Sequence, residues 1–359
     1  MKMRKRAILV LASGLILSLL LSPSLKAQEK EQVTKAKESK VVIIPDQVKK
    51  VFEEGMQTRQ ARPDIPFTVV RHLYFPAGQN FYTVILFEVK NADLGFAPLG
   101  EAPAKKKEEA LTAFETEASK LQARSHLFMQ FNKIESGMPG EVSQEVYVPI
   151  NLQEDTSTYE PEKTEIYSAG YPLTSGQYLL SLAICSQKLE KIGTQYYEFS
   201  LPDLTSLADR LETTPIFFVN NQEYMDSAER KPTAHKRSFT YSIMNIELNT
   251  DRVFAPGESL GLFFYIFGAQ PDENGKFNIE VSYDVLKEGE KAILFAPGQY
   301  DSPLIIQELP LIKTVLIKSE SGETTEKRNA EPGKYTLSLT ITDKISGKSV
   351  SKSIDFEVK

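Results

Sequence analysis

The chain has no tryptophan, one cysteine and three histidines in 359 residues. With Cys185 alone, no disulfide can form within the chain and no cysteine pair can help hold zinc. His72, His126 and His235 stand far apart, so no His-x-x-x-His pair offers a metal site. No Gly-x-Ser-x-Gly elbow is expected to mark a hydrolase serine, and no glycine-rich loop is expected to open a helix and cradle phosphate. No cofactor is expected. A triad built from distant residues stays open, because its members meet only in the fold. Beyond the N-terminus no stretch is long and apolar enough to be read as a membrane span.

What is present begins with a secretory signal. Lys2, Arg4, Lys5 and Arg6 precede the apolar run Ala7 to Leu21, and Ser22 to Ala27 is a polar exit ending in a small residue. Residues 1–27 therefore read as a signal peptide with cleavage after Ala27, and an uncleaved anchor is the alternative. N-terminal lipidation is excluded, since it needs a cysteine just after the signal and the nearest is Cys185. The expected location is periplasmic or extracellular. In such a setting a lone thiol is usually buried as a small apolar residue, and Cys185 lies inside an apolar strand rather than an electropositive cleft. Removing the five positive charges of the signal takes the formal net charge from −6 to −11. That balance argues against nucleic acid or anionic membrane as partner and predicts a neutral or basic patch on whatever binds. The remaining 332 residues suggest two domains.

One phrase is written twice. Gly176-x-Tyr178-x-Leu180-Ser181-Leu182-x-Ile184 returns as Gly333-x-Tyr335-x-Leu337-Ser338-Leu339-x-Ile341, 157 residues later. Phe199 and Phe356 follow their tyrosines at the same spacing of 21. Tyr335, Leu337, Leu339 and Ile341 alternate with Thr336, Ser338, Thr340 and Thr342, the period of a strand with one face inward. A tyrosine at the start of the penultimate strand is the mark of a tyrosine corner, whose hydroxyl reaches back to the backbone upstream. The expectation is a mainly β chain of two tandem immunoglobulin-like β-sandwich domains, at 40–219 and 237–359, with one or two accessory helices.

Further runs fit strands at Phe67 to Phe75, Phe81 to Lys90, His126 to Glu135, Val142 to Leu152, Thr164 to Leu173, Ser238 to Leu248 and Leu260 to Phe267. Leu304 to Lys318 reads as strand broken at Pro310, which suits an edge or a switch of sheet. Val48, Val51, Phe52 and Met56 recur at helical spacing within Pro45 to Gln60. Residues 105–122 read either as a helix or as an inter-strand loop. Residues 28–39, rich in Lys, Glu and Gln, form an expected disordered tail, and the polar stretch 220–236 an expected linker. Asp272-Glu273-Asn274-Gly275 lacks the later ligands of a calcium loop and reads as a hairpin turn. Glu108-Glu109 sits in a charged run that reads as solvated surface. Phe263, Phe264, Tyr265 and Phe267 crowd one strand, which reads as central and buried on both sides, the alternative being a contact surface for the other domain or a partner.

The closing stretch Pro332-Gly333-x-Tyr335-x-Leu337-x-Leu339, followed by Asp343-x-x-Ser346-Gly347-Lys348, resembles the C-terminal β-sandwich segment of uncharacterised secreted bacterial proteins named for a Gly-Trp-x-Thr-Asp (GWxTD) motif. The likeness runs from Pro332 to Lys359, and without a tryptophan the naming motif itself is absent. It implies export and an Ig-like fold, and it carries over no catalytic residue. Three functions are consistent with these readings. The first is a non-catalytic binding or scaffold protein whose partner is another cell-envelope protein. The second is a hydrolase with residues gathered in the cleft between the domains. The third is an assembly component pairing through strand edges. No catalytic, binding or metal residue is assigned.

Overall fold

Long period-two runs dictate strand, and most of the chain obeys. The computed structural model describes residues 43–99, 120–319 and 322–359, and the described residues form one compact unit. The signal segment with Ala27, the 28–39 tail, Glu108-Glu109 and most of the 105–122 segment lie outside them; Lys120 to Gln122 open a strand.

The first half runs α1 (Asp46–Met56), β1 (Phe67–Ala77), β2 (Asn80–Lys90), β3 (Ala97–Pro98), β4 (Lys120–Glu135), β5 (Met138–Asp155), β6 (Thr164–Leu173), β7 (Gly176–Ser186), β8 (Ile192–Leu201) and the short α2 (Leu204–Ala208). The second half opens with β9 (Glu212–Thr213), β10 (Phe217–Tyr224), β11 (Ala234–Lys236), β12 (Ser238–Tyr241), β13 (Met244–Asn249), β14 (Val253–Phe254) and β15 (Ser259–Phe267). It closes with β16 (Ile279–Lys287), β17 (Glu290–Leu294), β18 (Gly298–Tyr300), β19 (Leu304–Pro310), β20 (Ile312–Ser319), β21 (Gly322–Asn329), β22 (Gly333–Asp343) and β23 (Ser349–Val358).

Among the described residues these strands build four sheets and a two-stranded ribbon, β20 with β21. Sheet I carries β5-β4-β7-β8, with β3 beside the start of β4. Sheet II is β1-β2-β6-β11, sheet III β12-β13-β10-β15-β19 and sheet IV β14-β23-β22-β16-β17. Strand β14 runs parallel to β23.

Each apolar face finds another. Phe87, Val89 and Tyr167 of sheet II meet Leu127, Phe131 and Leu182 of sheet I in one core. Leu262, Phe264 and Ile305 of sheet III meet Val281, Leu337 and Phe356 of sheet IV in a second. A third core joins the halves: Leu73, Phe75, Val84 and Leu86 from sheet II against Phe217, Phe239, Ile246 and Phe263 from sheet III. Strand β15 is thus buried on both sides, with Leu262 and Phe264 facing its own half and Phe263 the other. Helix α1 covers the outer face of sheet I, setting Val48, Val51 and Phe52 on Phe128, Ala183 and Cys185. Those three helix positions lie at i, i+3 and i+4, one stripe of a 3.6-residue period.

The repeated phrase makes the same structure twice. Tyr178 Oη donates to the Thr174 carbonyl at 2.9 Å, and Tyr335 Oη to the Glu331 carbonyl at 2.7 Å, each four residues upstream. Gly176 and Gly333 take φ of 145° and 147°, backbone that a side chain resists. The following turns close alike, Ser186 N–H to the Lys191 carbonyl at 3.0 Å and Asp343 N–H to the Lys348 carbonyl at 2.9 Å. In the neighbouring strands Lys133 stands opposite Tyr178, and Lys287 lies over the Tyr335 ring, 5.4 Å from its centroid.

Three expectations are corrected. Residues 220–236 are not simply a linker: Asn220 to Tyr224 finish β10, and Ala234 to Lys236 add β11 to sheet II. Their polarity misleads because the end of β10 is largely exposed. Strand β10 also pairs with β15, so the second half begins before residue 237. Asp272 to Gly275 does turn the chain, with Asp272 Oδ1 accepting the Asn274 and Lys276 N–H groups, but it links β15 of sheet III to β16 of sheet IV and is no hairpin. Pro310 ends the edge strand β19, after which the chain leaves for the ribbon.

Candidate functional site

The histidines do not converge. His72, on β1, is half-buried against Phe199 and Tyr197, its Nδ1 3.1 Å from the Tyr197 hydroxyl. His126 lies between the Tyr147 hydroxyl and the Gln187 carbonyl, and His235 against Glu229. Among the described residues no three His, Cys, Asp or Glu side chains gather as a metal site. Cys185 is sealed beneath α1, and burial pushes its thiol up to about 12. Contrary to expectation, Gly257-Glu258-Ser259-Leu260-Gly261 does spell Gly-x-Ser-x-Gly. It runs from a turn into strand β15 rather than from a strand into a helix, and Glu258 is engaged by the Ala255 N–H at 2.7 Å. It is not a nucleophile elbow.

The fold does bring together a group that no motif announces. A recess of about 640 Å³ opens where the halves meet, lined by Arg71, Arg210, Arg252 and Lys352 and by the carboxylates Glu212 and Asp355. Two local irregularities aim the central cations into it. In β1 the register with β2 shifts between Val69 and Arg71. Before this bulge Phe67 and Val69 face the sheet I core; after it Leu73 and Phe75 face sheet III. Bulges re-aim side chains in this way, and Arg71, two residues before Leu73, goes with the second set. Arg252 takes a left-handed φ of 57° in a turn held by Asn249, whose Oδ1 accepts the Arg252 N–H at 2.8 Å.

Neighbouring residues fix the rim. Asp203 caps α2 by accepting the Thr205 N–H at 3.1 Å, and Arg210 follows two residues after that helix. Glu212 pairs with Lys352 and accepts the Thr213 N–H at 2.9 Å. Burial opposes the Glu212 charge, but Lys352, that N–H and Arg210 outweigh it and hold its carboxyl below the usual range. Asp355 accepts the Thr336 hydroxyl at 2.6 Å.

Arg71 and Arg252 are left over. Among the described residues neither guanidinium makes a hydrogen bond or ion pair, though Arg71 is half-buried. Burial, and then the positive charge of Arg252, pull the Arg71 guanidinium below its ordinary value. The contrast within the molecule is sharp. The buried Glu165 receives two bonds from Arg237, at 2.5 and 2.8 Å, with Lys163 at 3.4 Å and Lys236 at 3.7 Å. Buried charge is normally matched like that. Two guanidiniums offer planar forks of N–H donors that fit oxyanions.

The chain matches no known family model, and no curated protein matches it at a significant level.

Proposed function

We propose that this is an exported, non-catalytic binding or scaffold protein of the cell envelope, built from two immunoglobulin-like sandwiches in tandem, and that the recess at their junction is its binding surface. The observation that carries the reading is a pair of partner-free arginines, the half-buried Arg71 and the exposed Arg252, facing one recess between welded halves. The two tyrosines bonded to backbone four residues upstream, and strand β14 parallel to the last strand, support the immunoglobulin-like assignment. So does the resemblance of Pro332 to Lys359 to the GWxTD-type segment. The charged start and apolar run before Ala27 support export to the periplasm or beyond.

The overall acidity suggests a neutral or basic partner patch; the recess reverses this locally and favours an acidic group. Capture from the native cell envelope with the mature chain tests the reading, which expects one protein retained reproducibly and released by salt. Turnover of a peptide, ester or glycoside substrate, abolished by replacing one polar residue of the recess, would establish the hydrolase instead.

A further inference from the structure

We infer that the recess is an oxyanion site, in which Arg71 and Arg252 clamp a carboxylate, sulfate or phosphate group. The inference rests on the reading that the recess is the binding surface, and adds the chemistry of what enters it.

Positive charge is left unmatched here at a structural cost. Four cations and two carboxylates line the recess in a chain of net charge −6. Glu212 answers Lys352 and lies near Arg210, and Asp355 accepts the Thr336 hydroxyl without an ion pair, which leaves Arg71 and Arg252 unpaired. Arg71 is drawn partly out of water without a partner, which destabilises the fold that holds it, and the exposed Arg252 adds a like charge beside it. A bulge and a left-handed residue, each uncommon, are spent on turning these two toward each other's space. A bound oxyanion removes both penalties, since each guanidinium can give it two parallel N–H bonds. Thr213 and Ser353 on the walls add hydroxyls within the same recess. At about 640 Å³ it has room for the end of a peptide as well as for a free ion.

The test uses the chain from Gln28 onward, by titration calorimetry and thermal unfolding at matched ionic strength. Inorganic phosphate, sulfate and a short Asp/Glu peptide are compared with chloride. Saturable binding of one of these is expected, weakened at least about tenfold in Arg71→Gln and in Arg252→Gln, and unchanged in Lys50→Gln on α1. Tight phosphate or sulfate binding assigns a free-ion site; binding of the peptide alone assigns a carboxylate carried by a protein. Without ligand, Arg71→Met should unfold at a higher temperature than the parent, because the unmatched charge is gone. A lower unfolding temperature in Arg71→Met, or no oxyanion bound beyond the chloride control, or binding indifferent to both arginines, overturns the inference. Oxyanion binding with no envelope protein captured would sink the protein-partner reading and leave this site standing. A captured protein indifferent to both arginines would do the reverse.

Discussion

The ring of Tyr335 lies over that of Phe356, its cross-strand neighbour, with centroids 5.5 Å apart and planes 17° from parallel. Tyr178 and Phe199 repeat the pair at 5.5 Å and 20°. In both, the stacked ring sits in the core between two sheets while the hydroxyl ties down the backbone entering the strand. Tyr335→Phe keeps the ring and removes one hydrogen bond, so it should cost about 1 kcal/mol. Tyr178→Phe should cost at least as much, because its hydroxyl also meets Thr174 Oγ1 at 2.9 Å. Urea midpoints with unchanged slopes read both losses.

Ser181 and Ser338 occupy the same place in the repeat and opposite environments. Ser338 is partly open to water, whereas Ser181 is fully buried and its Oγ finds no partner. Ser181→Ala should therefore be neutral or stabilising by up to about 1 kcal/mol, and Ser338→Ala should leave the urea midpoint within error. A clear loss of stability in Ser181→Ala would mean that the hydroxyl is bonded.

Cys185 reports on α1. With its thiol pushed up to about 12 and its side chain beneath Val48 and Phe52, it should resist a thiol reagent at pH 8 in the native protein. Phe52→Ala, which opens the helix contact, should speed labelling at least about tenfold, since losing a buried aromatic costs roughly 3–5 kcal/mol. Fast labelling of the parent would place the thiol at the surface.

The pH dependence has two arms. Burial depresses His72 from its ordinary 6.5, with a bond involving the Ser200 backbone acting the other way. The neutral form is favoured in the fold, so its contribution is full above about pH 6.5 and is lost as pH falls through the folded value. Burial opposes the Asp343 charge, but the Ser346 hydroxyl and the Gln270 and Ile345 N–H groups outweigh it and hold its carboxyl below 3.8. Its contribution is present above that ordinary value and disappears on further acidification. Denaturation midpoints should thus fall between pH 7 and 5 and again below pH 4. His72→Gln should flatten the first step and Asp343→Asn the second.

What could be read from the residues was what strands write locally. The repeat, the alternation through Ile341, the α1 stripe and the burial of Cys185 depend on neighbours a few positions away. The two copies also differ in a way their residues carry: Ala183 and Cys185 are apolar where Thr340 and Thr342 are not, because α1 covers only the first. Lys133 and Lys287 escape an ungapped comparison, standing 154 residues apart within a repeat of 157. The recess was illegible for a different reason. A bulge beside Val70 leaves no mark in composition, and Arg71, Arg252 and Lys352 are ordinary surface cations until four sheets stack and bring their ends together.

The central claim, that the recess is where a partner docks, is tested most directly by photo-crosslinking within the native envelope. A benzoylphenylalanine replaces Ser353, which lines the recess, or Thr340, exposed on β22 outside it. One protein crosslinked from position 353 and absent from position 340, and lost from 353 when Arg71→Gln is added, is the predicted result. Equal crosslinking from both positions, or from position 340 alone, would contradict it.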